Sequence, residues 1–177
     1  MLRSASAMCL LLVMLAACGD SATTSTDSSG DAVQPTSLET TAAAAGEVAA
    51  CALLSAAEVA AATGLDVVEV VEESPTFCVF DLGAEAGVDV FLTMGRKGGS
   101  GSAALAFEEY TKLIETGRAE AIAGLGEGAV YAAGFRGLAL DAGGGRLVLL
   151  GINGGYRHLQ DPRDALIELA TAALERL

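Results

Sequence analysis

The sequence predicts an α+β domain in which an antiparallel sheet of about six strands carries helices mostly on one face. Three observations lead to this prediction. From residue 49 onward, segments with helical spacing of apolar residues enclose two groups of strand-like segments, in the order α-βββ-α-βββ-α. Glycine-rich turns separate successive strands, which is typical of hairpins and of antiparallel pairing. The roughly 130 residues of this region are enough to bury a core.

Each predicted helix has a recognisable boundary signal. The helices are expected over residues 55–63, over residues 102–116 and from residue 161 towards the end of the chain. Ser55 and Glu58 have the spacing of a capping box, and Gly64 is a typical helix terminator. Asp161 is expected to be the N-cap of the last helix, with Pro162 in its first turn.

Six segments have strand character, and one of them is expected at the centre of the sheet. They are residues 67–71, 77–82, 88–94, 129–133, 135–141 and 146–152. In 88–94 apolar residues alternate with others, which predicts a strand with one buried face. Residues 147–150 are apolar at every position, which favours a central strand covered on both faces.

The first 17 residues have the features of a bacterial lipoprotein signal peptide. Arg3 precedes an apolar run that is shorter than the roughly 20 residues of a membrane-spanning helix. Leu15-Ala16-Ala17-Cys18 resembles a lipobox, in which small residues precede the cysteine that receives the lipid. We therefore expect Cys18 to hold the chain to the membrane. The alternative is an ordinary secretory signal in which Cys18 is incidental.

Residues 18–48 are predicted to form a disordered tether behind the lipidated cysteine. From Gly19 to Val48, eleven residues are Ser or Thr, five are acidic and none is basic. Such a segment lacks the apolar surface that would offset the entropy lost on ordering. The chain is thus divided into a signal peptide (1–17), a lipidated tether (18–48) and one folded domain (49–177).

The four cysteines are expected to have three different fates. Cys9 leaves with the signal peptide and Cys18 is acylated, so Cys51 and Cys78 remain as one pair in an exported domain. A structural disulfide between them would join the start of the domain to the second strand. A redox-active pair is the alternative, although the spacing is not Cys-x-x-Cys.

The charge and the histidine count argue against several function classes. The net charge of −13 disfavours binding to nucleic acid, because few cations are available to neutralise phosphates. A single histidine, His158, cannot supply a multi-histidine metal site, and no metal or cofactor is predicted. His158 is expected to lie on the surface. The acidic clusters Glu69, Glu72, Glu73 and Glu108, Glu109 are expected to be solvated.

Two glycine-rich segments are candidates for binding loops. Gly95 to Ser102 precedes a helix and carries Arg96 and Lys97, so weak anion binding is one interpretation. The segment has neither a Walker A sequence nor a complete dinucleotide fingerprint, which favours a plain connection. Gly124 to Gly128 has glycine at alternate positions and is interpreted as the loop that enters the next strand.

Several short motifs together resemble a known lipoprotein family. They are the segment from Cys51 to Val59 with Gly64, the triplet Cys78-Val79-Phe80, and the turn Gly124-Leu125-Gly126-Glu127. With the lipobox and the Ser/Thr tether, they resemble the small actinobacterial lipoproteins of domain-of-unknown-function family 3558. The resemblance implies an envelope lipoprotein, and the family brings no assigned chemistry.

The sequence is compatible with two functions of different classes. The first is a non-catalytic lipoprotein on the outer face of the cytoplasmic membrane that binds a small ligand, a wall component or another envelope protein. The alternative is a cell-envelope hydrolase that uses acidic residues. A shallow apolar groove on the sheet would favour binding. A deep cleft with two facing carboxylates, or His158 beside a serine, would favour the hydrolase.

Overall fold

A computed structural model describes residues 48–83, 87–154, 159 and 162–177. The predictions for the signal peptide, Cys18, the tether up to residue 47, Asp161 and His158 lie outside these residues. All described residues belong to one unit of the chain.

Seven strands form one antiparallel sheet. They are β1 (Glu69–Ser74), β2 (Phe77–Asp81), β3 (Val88–Arg96), β4 (Glu120–Ile122), β5 (Gly128–Ala132), β6 (Gly137–Gly143) and β7 (Arg146–Gly154). Their spatial order is β1-β2-β3-β7-β6-β5-β4, and every neighbouring pair is antiparallel. The predicted α+β class and antiparallel sheet are therefore confirmed. β7 lies in the middle of the order, as its continuous apolar run predicted.

The seventh strand is an addition to the six that were predicted. β4 has three residues, which is too short for an alternating pattern to be recognised. β6 begins at Gly137, not at Phe135, because Ala133–Phe135 forms a 3-10 turn. Arg136 follows that turn in a left-handed conformation (φ 47°), which delays the start of the strand.

The three α-helices are α1 (Ala56–Thr63), α2 (Ser102–Glu115) and α3 (Arg163–Leu174). Ser55 and Glu58 form the predicted capping box at the start of α1, and Gly64 ends the helix with a φ of 71°. α3 starts one residue later than predicted, because Pro162 occupies the N-cap and its carbonyl accepts the Leu166 N–H at 2.9 Å.

The helices cover the two faces of the sheet unequally. α1 and α3 share one buried cluster with the inward residues of β2, β3, β6 and β7, so most helical mass lies on this face as predicted. Its largest fully buried side chains include Phe80, Leu92, Leu140, Leu150 and Leu166. α2 lies on the opposite face, where a smaller cluster forms around Tyr110, Leu113, Leu147 and Leu149.

Candidate functional site

The two cysteines of the domain form a disulfide in the structure. The Cα atoms of Cys51 and Cys78 are 5.1 Å apart, and 27 positions separate them in sequence. Cys51 belongs to a 3-10 turn (Ala50–Ala52), whereas Cys78 is fully buried in β2. The Ala50 N–H also donates to the Pro75 carbonyl at 2.8 Å. The bond thus joins the start of the domain to the β1–β2 hairpin, which is a structural role.

In the candidate anion-binding loop, the side chain of Lys97 forms an ion pair with another residue of the domain. Lys97 Nζ lies 3.0 Å from Asp141 Oδ2, and the Lys97 N–H donates to the Gly145 carbonyl at 2.9 Å. Arg96 is the register partner of Arg146 at the end of the sheet. The structure therefore gives Lys97 a partner that holds the loop to the β6–β7 hairpin.

The Lys97 ammonium and the Asp141 carboxylate each stabilise the charged form of the other. Burial acts to raise the pKa of Asp141, but hydrogen bonds from Lys97 and from the Gly143 N–H, with the Lys97 charge, lower this pKa below its usual value. The hydrogen bond and charge of Asp141, with a smaller effect of Glu127, raise the pKa of Lys97. A bound anion would have to compete with these two carboxylates for the ammonium group.

The glycine turn before β5 is a packing feature. Gly126 has a φ of 59°, and a Cβ there would overlap the Asp141 carbonyl oxygen and approach Leu140 Cδ1 to 2.7 Å. The Glu127 N–H donates to the same carbonyl at 2.8 Å. Leu125, just before Gly126, is buried. The turn therefore anchors the entry into β5, in agreement with the structural interpretation.

Helix α2 leaves one corner of its sheet face open. The helix begins beside Gly95 in β3, where a Cβ would lie 3.1 Å from the Ala103 side chain. It ends near the start of β6, where Tyr110 lies so close to Gly137 that a Cβ there would overlap its hydroxyl group. α2 packs against β3 to β7. The corner formed by β1, β2 and the first half of β3 lies beside this path.

Apolar side chains line this corner in register. Val71 of β1 pairs with Val79 of β2, and Val79 pairs with Phe91 of β3. Phe77, two residues before Val79 on the same face, lies with its ring centroid 6.4 Å from that of Phe91. The ring of Phe91 in turn rests on Gly151, where any Cβ would overlap it. We call Val71, Phe77, Val79 and Phe91 the open face.

The open face is accessible in spite of its apolar character. Phe77, Val79 and Phe91 are half-buried, whereas their neighbours on the opposite face of the same strands, Cys78 and Phe80, are fully buried. Val71 is 36% exposed. A partly exposed group of two aromatic and two aliphatic side chains on one face of a sheet is compatible with a shallow binding surface.

A row of carboxylates runs beside the open face. Glu69, Asp81 and Asp89 are consecutive register partners across β1, β2 and β3, and Asn153 of β7 continues the row. These residues lie two positions along each strand from Val71, Val79 and Phe91, so they share the same face. The apolar surface therefore has a negatively charged border.

The strand β1 is an edge of the sheet and the most exposed strand of the described chain. Its first five residues are exposed, and its sequence is Glu-Val-Val-Glu-Glu-Ser. Val68, just before the strand, is 70% exposed, and Val70 is 43% exposed. The acidic cluster of Glu69, Glu72 and Glu73 is indeed solvated here, but it alternates with exposed valines. We call Val68 and Glu69–Ser74 the β1 edge.

Sequence reasoning did not identify the open face or the β1 edge as a site. The residue pattern predicted the strands, but the position of β1 at the sheet edge depends on which strands pair. The one sequence signal for an exposed edge strand was the composition of β1 itself. Two adjacent valines lie among three glutamates there, so neither face of the strand is uniformly apolar. The cluster Glu108 and Glu109 is exposed on α2, as expected.

The described residues were also compared with the requirements of a metal site and of a membrane-spanning helix. No group of His, Cys, Asp and Glu within them is arranged to hold a metal ion. None of the described helices is long and apolar enough to span a membrane. Comparisons of the chain with protein-family models, with curated proteins and with solved structures found no match.

Proposed function

We propose that this chain is a non-catalytic binding module of the bacterial cell envelope, held by a lipid on Cys18 at the outer face of the cytoplasmic membrane. Its binding surface would be the open face together with the β1 edge. The single observation that carries the proposal is the accessible apolar group of Val71, Phe77, Val79 and Phe91. Phe91 also packs against the buried cluster under α2, whereas Val71, Phe77 and Val79 belong to neither buried cluster.

The proposed location rests on the sequence before the domain. The lipobox ends at Cys18, and the next thirty residues are rich in Ser and Thr. As a flexible chain this tether would reach about 30 Å, which would carry the domain away from the lipid surface. The disulfide of Cys51 and Cys78 is compatible with an oxidising compartment. The resemblance to family 3558 supports the same assignment.

The proposed binding role rests on the shape and chemistry of the surface. A sheet face exposes a flat array of side chains that suits an extended or planar ligand. The aromatic rings of Phe77 and Phe91 offer large contact areas at low cost in conformational entropy. The carboxylates of Glu69, Asp81 and Asp89 border the apolar group and would select against anionic ligands.

One pair of carboxylates, Asp81 and Asp89, bears on the hydrolase alternative. Asp81 and Asp89 are direct register partners, so two carboxylates do face each other across β2 and β3. Asp81 also accepts the Gly83 N–H at 2.6 Å, which gives it a role in the turn after β2. The pair lies on an open sheet face, whereas acid–base catalysis favours a cleft that excludes water. The surface therefore supports binding better than hydrolysis.

A site-specific cross-linking experiment tests the proposal. A photoreactive amino acid replaces Val71 in one chain and Leu105 in a control chain. Leu105 is also an exposed apolar residue, at 57%, but it belongs to α2 and not to strands β1 to β3. Irradiation of living cells should give a defined adduct from position 71 and none from position 105. Equal adduct patterns at both positions, or no adduct at 71, would refute the proposed surface.

A further inference from the structure

We propose that the partner of this surface is an extended segment of another protein that carries basic and apolar residues, and that it adds to the sheet as a strand beside β1. This inference rests on the proposed function and names the chemistry of its partner. It follows from three properties of the β1 edge: its backbone position, its side-chain pattern and its charge.

The backbone of β1 offers an unused side within the described sheet. β1 pairs with β2 through five register positions and stands at the end of the strand order. In an edge strand, alternate N–H and C=O groups point away from the sheet and form a template for another strand. Peptides bind many domains in this way, with backbone hydrogen bonds supplying affinity and side chains supplying selectivity.

The side chains of β1 define which strand would fit. Glu69 and Val71 lie on the open face with Asp81 and Val79 as register partners. Val70 and Glu72 lie on the other face, since side chains alternate along a strand. The first four residues of β1 thus present one valine and one glutamate on each face, and Glu73 follows where the pairing becomes irregular. A complementary strand would read basic-apolar-apolar-basic, and this pattern is the same in either direction.

The charge of the edge argues against a second copy of this chain as the occupant. In the antiparallel register that places Val70 of one copy opposite Val71 of the other, Glu69 of one copy would lie opposite Glu72 of the other. Like charges in directly opposite positions destabilise a strand pair. The net charge of −13 adds to the repulsion between two copies. A basic segment meets the same glutamates with favourable charge.

The open face extends the fit beyond the edge strand itself. Apolar side chains of the partner that project over this face would reach Val71, Val79 and Phe91, which lie side by side in register. Basic side chains on the same face would reach Glu69 and the carboxylate row behind it. One partner strand would therefore contact both features that the structure leaves accessible.

A peptide titration tests the inference. The probe is a capped decapeptide with the central sequence Arg-Val-Val-Arg between threonines, and its control has Glu in place of both Arg. The isotope-labelled full chain is titrated and observed by NMR. We expect saturable shifts of the β1 and β2 amide signals with the Arg peptide only. Shifts confined to α2, or none that saturate, would overturn the inference.

Charge-reversal variants make the test specific. The double variant Glu69→Lys, Glu72→Lys should weaken binding at least about tenfold, because both cross-strand ion pairs become repulsive. The matched control Glu108→Lys, Glu109→Lys has the same net charge but changes an exposed site on α2, and its affinity should equal that of the parent chain. Equal weakening in both would show that only overall charge matters and would overturn strand addition.

Two further measurements separate the possible failures. If the Lys variant does not fold, the variant Glu69→Gln, Glu72→Gln replaces it, with a smaller loss of affinity expected. Sedimentation of the parent chain should show a monomer, and a dimer that the Gln variant strengthens would assign the edge to a second copy. Cross-linking at Val71 without peptide binding would overturn the basic strand and leave the proposed function intact. If neither cross-linking at Val71 nor peptide binding is observed, both the proposed function and the strand-addition inference are overturned.

Discussion

At the scale of single residues, Gly126 is a position where the fold leaves no room for a side chain. Its φ is 59°, and a Cβ would overlap the Asp141 carbonyl oxygen, a backbone atom that cannot move aside. We expect Gly126→Ala to lower the free energy of unfolding by about 3 kcal/mol, from left-handed strain and overpacking together. Urea denaturation of the purified chain measures this loss.

Gly124 supplies the control for this prediction. Its φ of 78° is equally unfavourable for alanine, but no atom lies within 4 Å of a Cβ at this position. Gly124→Ala should therefore cost about 1 kcal/mol, from strain alone. Equal losses in the two variants would show that the contact with Asp141 contributes nothing.

A second residue-scale prediction concerns Glu58 and the pH dependence of stability. The hydrogen bond from Arg176, followed by hydrogen bonds from Ser55, lowers the pKa of Glu58 from 4.5 to about 2. Glu58 Oε1 lies 2.6 Å from Arg176 Nη2, and Arg176 also donates to the Leu53 carbonyl at 2.9 Å. These bonds join the start of α1 to the end of α3.

The sign of the effect follows from the lowered pKa. The folded state prefers the charged carboxylate, so Glu58 stabilises the fold fully above its unfolded pKa of 4.5. That contribution should be lost as pH falls from about 4.5 towards 2, and Glu58→Gln should remove this part of the pH dependence. Urea denaturation at several pH values checks it, with Glu108→Gln as control. An unchanged acid dependence in Glu58→Gln would contradict the account.

At the scale of secondary-structure elements, the disulfide should stabilise the contact between the first turn and the β1–β2 hairpin. A closed loop with a sequence separation of 27 corresponds to about 3.6 kcal/mol in the chain-entropy treatment. We expect reduction to lower the free energy of unfolding by about this amount. The comparison is made by urea denaturation with and without reductant.

The variant Cys51→Ala, Cys78→Ala provides the control for reduction. Its stability should be low from the outset and should not respond to reductant. A parent chain whose unfolding is also insensitive to reductant, or an intact mass that shows two free thiols, would contradict a structural disulfide in the exported protein.

The elements also show how far sequence patterns determine this fold. The boundaries of α1 were predicted because Ser55, Glu58 and Gly64 are local signals, and the central place of β7 followed from apolar residues on both faces. The predicted alternation in β3 is confirmed by the burial of Val88, Val90 and Leu92. Local patterns therefore identified most elements.

What the patterns could not provide was the pairing of distant strands. The open face exists because β3 pairs with β7, which places β1 and β2 beyond the strands, β3 to β7, against which α2 packs. The ion pair of Lys97 with Asp141 likewise joins residues that are 44 positions apart. Neither contact has a local sequence signature, so both the site and the role of Lys97 became clear only in three dimensions.

At the scale of the whole molecule, the account predicts that lipidation determines where the chain is found. Cys18→Ala removes the thiol that would receive the lipid. We expect this variant to appear in the medium or to remain as an uncleaved precursor. Fractionation of cells and the intact mass of the mature chain check the outcome, and an unchanged membrane fraction with unchanged processing would refute the lipobox assignment. Cys9→Ala is the matched control and should leave both unchanged.

The acidic residues of the chain are divided between the proposed tether and the folded domain. Five acidic residues lie in the proposed tether, and the acidic residues of β1 line the proposed docking edge. A net charge of −13 disfavours flat contact with anionic lipid, so attachment would depend on the covalent lipid. The same charge would make the domain selective for basic partners and would speed their encounter.

The central claim is that a membrane-anchored domain binds a partner through the open face and the β1 edge. It is tested most directly by photocross-linking at Val71 in living cells that carry the lipidated chain. The account predicts one defined protein adduct at Val71, none at Leu105, and loss of the Val71 adduct in the Glu69→Lys, Glu72→Lys variant. Adducts that are the same at both positions, or a Val71 adduct that survives the charge reversal unchanged, would contradict it.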